Sequence, residues 1–407
     1  MKFIHAADLH IDSPLRGLAT SDDAPIDAIR SAPREAFRRL VQLALAEQVD
    51  FVILAGDVFD GEWRDIRTGL FFNAQLKQLG DIPVFIARGN HDAEMEVLKK
   101  LKHPKNTQTF KCIRAETIII DSVGVAIHGQ SYKNRAVVDD LAAGYPKAVP
   151  GLTNIGVLHT SLAGYAAHET YAPCSLATLA GRGYDYWALG HVHVRQIVCE
   201  SPLVVYPGNI QGRHFRETGP KGCYVVEGER DALRATFHAL DVVRWFDEKV
   251  DVSGVRDEAE AVRLVQEHIT AIQEANSSSL ISIRVEMTGT TGAHGDLVND
   301  RQIHEATIRS HVAPDAWLAE LRIGTMPVVE LAAVRRQDDL QGALFRSIEE
   351  LRVGVDVHDG IRTALRPLKD KLPPRVVAEY QTRLDDKDFI RIALDGAERI
   401  LLAEMNG

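Results

Sequence analysis

Polar residues of the kinds that bind metal ions follow hydrophobic runs at five places in the first half of the chain. Each apolar run is typical of a β-strand, and aspartate, asparagine or histidine comes directly after it. Because the carboxyl ends of strands in α/β proteins line a ligand crevice, five such ends can converge on one site. The five segments are Asp8-Leu9-His10, Gly56-Asp57-Val58-Phe59-Asp60, Gly89-Asn90-His91-Asp92, His159 after Gly156-Val157-Leu158, and Gly190-His191-Val192-His193.

These segments supply more candidate ligands than one metal ion can use. Two ions about 3.5 to 4 Å apart, bridged by a carboxylate and a hydroxide, would use them all, and such pairs perform in-line displacement at phosphorus. Asp57 is the natural bridge. The oxygen and imidazole donors without thiolates favour Mn²⁺ and also allow Fe or Zn²⁺. The seven candidate ligands are Asp8, His10, Asp57, Asn90, His159, His191 and His193.

The runs that precede the ligands predict an α/β fold over the first 240 residues, in which short strands alternate with helical patterns. Between the first two strands, apolar residues from Phe37 to Ala44 have helical spacing after Pro33, which indicates a helix that covers a sheet. Later strands leave no room for crossover helices, so a mixed sheet or two packed sheets is favoured over a parallel one. The predicted strands are Phe3 to Ala7, Phe51 to Ala55, Pro83 to Ala87, Asn154 to His159, Tyr184 to Leu189 and Leu203 to Tyr206.

The pattern changes after residue 240 and predicts two further regions. Residues 241–326 have strand, helix and strand patterns typical of a small α+β domain, with a helix expected over Glu258 to Glu274. Residues 327–407 are expected to be a helical C-terminal region. In this region a Pro-rich segment, Pro367 to Pro374, separates the core from an apolar helical stripe between about Asp388 and Glu404.

Composition and charge exclude several classes of protein. The 407 residues are 45% apolar and 26% charged, as in a globular protein, and the four cysteines are too far apart for a thiolate zinc site. The net charge of −10 argues against a general nucleic-acid coat protein. That charge lies mainly after residue 240, because the first 240 residues carry 26 Lys and Arg against 27 Asp and Glu. We find no signal-peptide or membrane-spanning pattern and expect a cytoplasmic protein without membrane contact.

Taken in order, the five segments resemble the motifs of the calcineurin-like metallophosphoesterase superfamily. The Gly-Asn-His-Asp form, the opening Ala-Asp-Leu-His-Ile-Asp-Ser-Pro-Leu and the stretch from Tyr206 to Gly222 are similar to DNA-repair exonucleases of the SbcD and YhaO type, with the YhaO type the closer match. The resemblance implies a core of two packed mixed β-sheets flanked by helices, followed by a small capping domain and a helical tail.

The resemblance also implies roles for individual residues. It places Asp8, His10, Asp57 and His193 on one metal ion, and Asp57, Asn90, His159 and His191 on the other. His91 would then protonate the leaving oxygen or stabilise the phosphorane, and Asp92 would set its tautomer. Some members of the superfamily have a histidine where this chain has Asp60. The basic residues Arg213, His214, Arg216 and Lys221 are expected either to bind the phosphate backbone near the metals or to form a solvated charged loop.

Three functions remain in view. A metal-dependent DNA nuclease, acting as exonuclease or endonuclease, is favoured because the regions beyond residue 240 suit a polymeric substrate. The alternatives are a phosphatase or phosphodiesterase for small molecules, and a non-catalytic scaffold that has kept the fold. For the nuclease, the resemblance implies a homodimer and docking of the C-terminal helices on a coiled-coil ATPase of the SbcC/YhaN type.

Overall fold

The computed structural model describes residues 1–13, 24–60, 65–93, 102–162, 172–312 and 314–328, with a few positions between 336 and 348. Two compact units are present. The first consists of Met1–Asp247, Ile272–Arg284 and Ala313–Ala319, and the second of Glu248–Ala271, Val285–Val312 and the described residues from Glu320 onward. All candidate ligands lie in the first unit.

The first unit contains two six-stranded mixed sheets. The first sheet has the strands β1 (Lys2–Ala6), β2 (Phe51–Ala55), β3 (Val84–Ala87), β4 (Thr107–Thr109), β11 (Gly222–Glu227) and β12 (Arg234–Ala239), in the order β12-β11-β1-β2-β3-β4. The second has β5 (Glu116–Ile120), β6 (Val125–Gly129), β7 (Thr153–His159), β8 (Tyr186–Gly190), β9 (Gln196–Glu200) and β10 (Leu203–Tyr206), in the order β5-β6-β7-β8-β10-β9. The prediction of two packed mixed sheets is confirmed.

Strands β1 to β4 are parallel, as are β6, β7, β8 and β10, while antiparallel strands complete both sheets. The side chains of β2 show how the layers pack. Phe51 and Ile53 join a core that also contains residues of the second sheet, whereas Val52 and Leu54 pack in the core under the helices. Both faces of this strand are buried, which explains its uninterrupted apolar sequence.

In the described residues of the first unit, the α-helices are α1 (Ile26–Ala46), α2 (Ile66–Gln78), α3 (Asn90–Ala93) and α4 (Leu176–Ala180). The predicted helix between β1 and β2 is present, and its residues Phe37, Leu40, Val41 and Ala44 are buried. It begins seven residues earlier than Pro33, which lies inside the helix and not at its start. Packing of Ile29 and Ala32 with Trp245 stabilises this extra length.

The region after residue 242 adds a three-stranded sheet in the order β13-β14-β15, formed by Val243–Asp251, Leu280–Thr291 and Ala316–Pro327. Helix α5 (Glu258–Ala275) matches the predicted helix, and α6 (His294–Asn299) and α7 (Arg301–His311) were not predicted. The domain limits 1–240, 241–326 and 327–407 stay predictions, and the stripe from Asp388 to Glu404 lies outside the described residues. Within the described parts of the chain, every helix is too short or too polar to cross a membrane.

Candidate metal centre

The candidate ligands lie at the carboxyl ends of five strands. Asp8, Asp57 and Asn90 follow β1, β2 and β3 within three residues, His159 is the last residue of β7, and His191 directly follows β8. Because β1, β2 and β3 are parallel, as are β7 and β8, these ends lie at one edge of each sheet. The sequence predicted this convergence, and the short distances between the side chains bear it out.

The backbone at this edge is strained. Asp8, His10, Asp57 and His191 have positive φ angles of 51°, 42°, 49° and 102°. Such conformations are uncommon outside glycine and cost of order 1–3 kcal/mol each, so they persist only where the surroundings hold them. Hydrogen bonds do so here. The amide of His191 donates to both carboxylate oxygens of Asp8, at 3.2 and 2.9 Å, and the amide of His91 donates to Asp57 Oδ1 at 2.9 Å.

One ring nitrogen of His159 faces two oxygen atoms. Its Nδ1 lies 3.0 Å from the carbonyl oxygen of Ala55, which can only accept, so Nδ1 must carry the proton. Its Nε2, the nitrogen that remains available to a metal ion, faces Asn90 Oδ1 at 3.0 Å and Asp57 Oδ2 at 3.3 Å. The side chain of His159 is fully buried. Two oxygen atoms and one imidazole nitrogen that meet in a buried place are the donor set of a cation site, which either a proton on Nε2 or a metal ion can fill.

A second group of ligand atoms surrounds His10 and His193. Their Nε2 atoms lie 3.2 Å apart, and His193 Nε2 lies 3.7 Å from Asp8 Oδ1. Burial, with the positive charge of Arg213 nearby, lowers the pKa of His10 well below its usual range. His10 is therefore neutral at pH 7, which is the form that binds a metal. These residues fit the second ion of a pair.

Asp57 lies between the two groups. Its Oδ2 is 3.3 Å from His159 Nε2 and 4.0 Å from His10 Nε2, so one oxygen faces histidines of both groups. The imidazole rings of His159 and His191 are 5.3 Å apart between centroids, which places His191 beside the first group. The structure therefore brings all seven candidate ligands together.

The charges of this centre are poorly balanced by protein atoms alone. Burial and the nearby Asp57 raise the pKa of Asp8, although histidines nearby oppose the shift. Burial lowers the pKa of His159, but the charges of Asp57 and Asp8 outweigh it and bring the value to about 9. In the absence of a metal, a proton on His159 would offset part of the carboxylate charge. A divalent ion would do the same for both carboxylates.

The partner of His91 is Asp60, which corrects the expectation that Asp92 sets its tautomer. His91 Nδ1 lies 3.4 Å from Asp60 Oδ1, and Asp60 Oδ2 accepts a hydrogen bond from Ser13 Oγ at 2.8 Å. Burial lowers the pKa of His91, but Asp60 and Asp57 outweigh burial and raise it. His91 is partly exposed, and its ring centroid is 5.1 Å from that of His10.

Asp92 instead joins two ligand loops. Its buried carboxylate accepts hydrogen bonds from the amides of Val58 at 3.2 Å, Phe59 at 3.0 Å and Gly89 at 3.1 Å. Val58 and Phe59 follow Asp57, and Gly89 precedes Asn90. Backbone amides occupy the Asp92 carboxylate, so this carboxylate does not orient His91. It sets the spacing of the two loops.

The four basic residues predicted to bind substrate do not form one solvent-facing loop. Lys221 is only 8% exposed, and its Nζ donates to the backbone carbonyl of His193 at 3.2 Å. Arg213 pairs with the buried Glu217 at 2.9 Å. His214 and Arg216 are exposed. The expectation of one basic loop that faces phosphate or solvent is therefore not met for Arg213 and Lys221, because Glu217 and the backbone carbonyl of His193 hold these two cations.

Two contacts of the site were missed from the sequence. Glu217 Oε1 lies 2.8 Å from His193 Nδ1, and Asp60 lies beside His91. The only sequence signals were a lone acid in a basic segment and the second Asp of Gly56-Asp57-Val58-Phe59-Asp60. The buried His5 and His128 contact Tyr186, Leu189, Thr117 and Asn154 and lie outside the ligand set.

The two mixed sheets and the clustered Asp, Asn and His side chains define a metallophosphoesterase. Comparison with known proteins agrees, because residues 1–195 match the family model for calcineurin-like phosphoesterases and residues 245–326 match the middle domain of metallophosphoesterase YhaO. The chain belongs to the calcineurin-like metallophosphoesterase family, in the YhaO group. This family membership implies a metal-dependent phosphoesterase with divalent ions.

Two relatives and one solved structure illustrate what the chain is similar to. The chain is 33% identical over 296 residues to the uncharacterized metallophosphoesterase YhaO of Bacillus subtilis (strain 168), covering 71% of this chain and 72% of that protein. It is 24% identical over 419 residues to the DNA double-strand break repair protein Mre11 of Methanopyrus kandleri, covering 92% and 84%. Among solved structures, a dimetal phosphatase from Danio rerio aligns with a TM-score of 0.38 at 12% identity, covering 59% of this chain and 96% of that one.

Proposed function

We propose that this protein is a two-metal DNA nuclease that hydrolyses phosphodiester bonds in DNA repair. The observation that carries the proposal is the convergence of six oxygen and imidazole ligands whose side-chain atoms face one another at 3.0 to 3.7 Å, with the ring of His191 beside them. The relatives named as double-strand break repair proteins support a DNA substrate.

The donor set suits two ions, most simply Mn²⁺, with Fe or Zn²⁺ as alternatives. Asp8, His10 and His193 would hold one ion, Asn90, His159 and His191 would hold the other, and Asp57 would contact both. When bound, such a pair orients the phosphodiester and promotes attack of water at phosphorus. The protein contributes the fixed positions of the ligands, which the strained turns and amide hydrogen bonds maintain.

His91 is the proposed general acid. Nδ1 of His91 faces the Asp60 carboxylate. The other ring nitrogen, Nε2, is therefore the atom that can deliver a proton to the leaving oxygen. The partial exposure of His91 gives substrate access to this ring. Asp92 has a structural role, because it holds the loop that carries His91 against the loop that carries Asp57.

A parallel assay tests the proposal against its alternatives. Metal-free protein is reconstituted with Mn²⁺ and incubated with labelled DNA and, separately, with a small aryl phosphodiester. We expect DNA cleavage at a rate that exceeds turnover of the aryl ester, and loss of cleavage on chelation. Turnover of the aryl ester alone would support a small-molecule phosphodiesterase. No turnover of either substrate, with metals bound, would support a scaffold.

Partners and location form a second part of the proposal. We propose a homodimer that operates in the cytoplasm with a coiled-coil ATPase of the SbcC/YhaN type. Support comes from the apolar stripe of the C-terminal sequence, in which Phe389, Ile392 and Ile400 recur at helical spacing after the Pro-rich segment. A chain truncated before Pro367 should keep Mn²⁺-dependent cleavage and lose co-purification with the ATPase. Retained co-purification, or unfolding of the truncated chain, would contradict docking through this segment.

A further inference from the structure

His193 and His159 are oriented by partners of different charge. The Nδ1 of His159 donates to a neutral backbone carbonyl, that of Ala55, at 3.0 Å. The Nδ1 of His193 lies 2.8 Å from Glu217 Oε1. Arg213 Nη2 also lies 3.2 Å from this nitrogen, but the carboxylate is nearer and can only accept, so His193 Nδ1 carries the proton and Nε2 keeps its lone pair. A carboxylate partner also makes an imidazole a stronger metal ligand.

Glu217 is held in place from several sides. Its Oε2 accepts hydrogen bonds from Asn209 Nδ2 at 2.9 Å and from the backbone amide of Arg213 at 2.8 Å. The guanidinium of Arg213 donates to Oε1 at 2.9 Å. The residue is 6% exposed, and both of its oxygens accept hydrogen bonds from amide or guanidinium donors. These donors suit the ionised carboxylate and fix its position.

The same segment also holds the backbone of His193. Lys221 Nζ donates to the carbonyl oxygen of His193 at 3.2 Å, and the amide of Asn209 donates to it at 3.4 Å. Four residues between 209 and 221 thus act on one histidine, through its ring or its carbonyl. This arrangement explains why Arg213 and Lys221 face inward although the sequence suggested a DNA-binding loop.

We propose that Glu217 is a positioning residue that strengthens metal binding at the Asp8, His10 and His193 position and leaves the Asn90, His159 and His191 position unaffected. The inference rests on the proposed two-metal centre. Glu217 contacts His193, and through Arg213 it lies in a network of ionic and hydrogen bonds on that side of the site. At the other position, the Ala55 carbonyl, which is neutral, orients His159 in the way that Glu217 orients His193.

Metal titration tests this role without relying on cleavage. Mn²⁺ is added to the metal-free full-length protein, and free Mn²⁺ is measured by electron paramagnetic resonance. Glu217→Gln keeps the shape of the side chain and removes its charge. We expect the dissociation constant of one ion to rise about 10- to 100-fold, the usual effect of losing such a partner, and that of the second ion to stay unchanged.

Glu305→Gln is the matched control. The carboxylate of Glu305 is likewise paired with arginines, 2.9 Å from Arg301 Nη1 and 2.6 Å from Arg309 Nη2, and its side chain is only 14% exposed. Glu305 belongs to the second compact unit, which contains none of the candidate ligands. This variant should bind both ions as the parent does. Equal weakening of both ions in both variants would show a general loss of structure and would overturn the proposal, as would parent-like binding by E217Q.

A second variant guards against failure of E217Q to fold. Glu217→Asp keeps the charge beside Arg213 but withdraws the carboxylate from His193, so the same ion should be weakened, and unchanged binding would overturn the proposal. A parent protein that bound only one ion would contradict the two-metal proposal. In that case the ratio of the E217Q to the parent dissociation constant would still test Glu217.

Discussion

Gly190 lies where the two sheets approach each other at the metal centre, and its substitution tests that packing. A Cβ atom added at this position would overlap the carbonyl oxygen of Ala55 and would lie 2.9 Å from His159 Nδ1. Ala55 belongs to the first sheet, whereas Gly190 pairs with His159 in the second. The obstructing atom is backbone, so it cannot move aside as a flexible side chain could. Gly190→Ala should therefore displace the hydrogen bond that fixes the His159 tautomer.

The magnitude follows from a matched comparison with Gly144→Ala. Nothing lies within 4 Å of a Cβ atom at Gly144. Both substitutions reduce the freedom of the unfolded chain, which stabilises by about 0.4 to 1 kcal/mol. Only Gly190→Ala adds overlap in a packed interior, at a cost of about 1 to 3 kcal/mol. The difference between the two variants isolates this cost and corresponds to about 2 to 12 °C in Tm for a domain of roughly 150 to 250 residues.

Thermal unfolding of the metal-free proteins, followed by circular dichroism, measures this difference. We expect Gly144→Ala to unfold at or slightly above the parent Tm and Gly190→Ala to unfold below it. Mn²⁺ titration should also show weaker binding by Gly190→Ala, because His159 loses its orientation. Equal Tm values and equal Mn²⁺ binding for the two variants would refute the close approach of the sheets at Gly190.

Three further predictions concern chemistry, packing and substrate binding. His91→Ala should keep both metals and lose about 10²- to 10⁴-fold in turnover, as expected for a general acid, and parent-like cleavage in a single-turnover assay would exclude that role. Tyr186→Phe leaves the buried His5 Nδ1 without its 2.8 Å partner and should lower the free energy of unfolding by about 1 to 3 kcal/mol in urea titration, whereas an unchanged midpoint would contradict the contact. Arg216→Gln should weaken DNA binding across sequences and reduce the salt slope by about 1, and an unchanged slope would return this exposed residue to the solvated-loop interpretation.

The positions of the candidate ligands were predictable because each lies at or just beyond the end of a strand with an apolar sequence. Phe51 to Ala55 is buried on both faces, so its boundaries and the position of Asp57 after it could be read directly. Parallel pairing of β1, β2 and β3 then brings the ligands to one edge. Local sequence and the geometry of parallel sheets suffice for this part of the site.

The contacts around the ligands were not predictable, because they join residues far apart in the chain. Glu217 is 24 residues from His193, and no local pattern distinguishes it from a surface acid. The roles of Asp60 and Asp92 depend on which carboxylate the backbone amides occupy. Edge strands such as β9 escaped prediction because partial exposure gives them no clear apolar alternation. The early start of α1 depends on contacts with Trp245, which the helix sequence does not contain.

The most direct test of the two-metal account is the metal content of the parent chain and of Asp57→Asn after reconstitution with Mn²⁺ and removal of free metal. Asp57 Oδ2 faces histidines of both ligand groups, so its charge contributes to both positions. We predict two ions per parent chain by elemental analysis and a fall at both positions in the variant. At most one ion in the parent chain, or two tightly held ions in Asp57→Asn, would contradict the account.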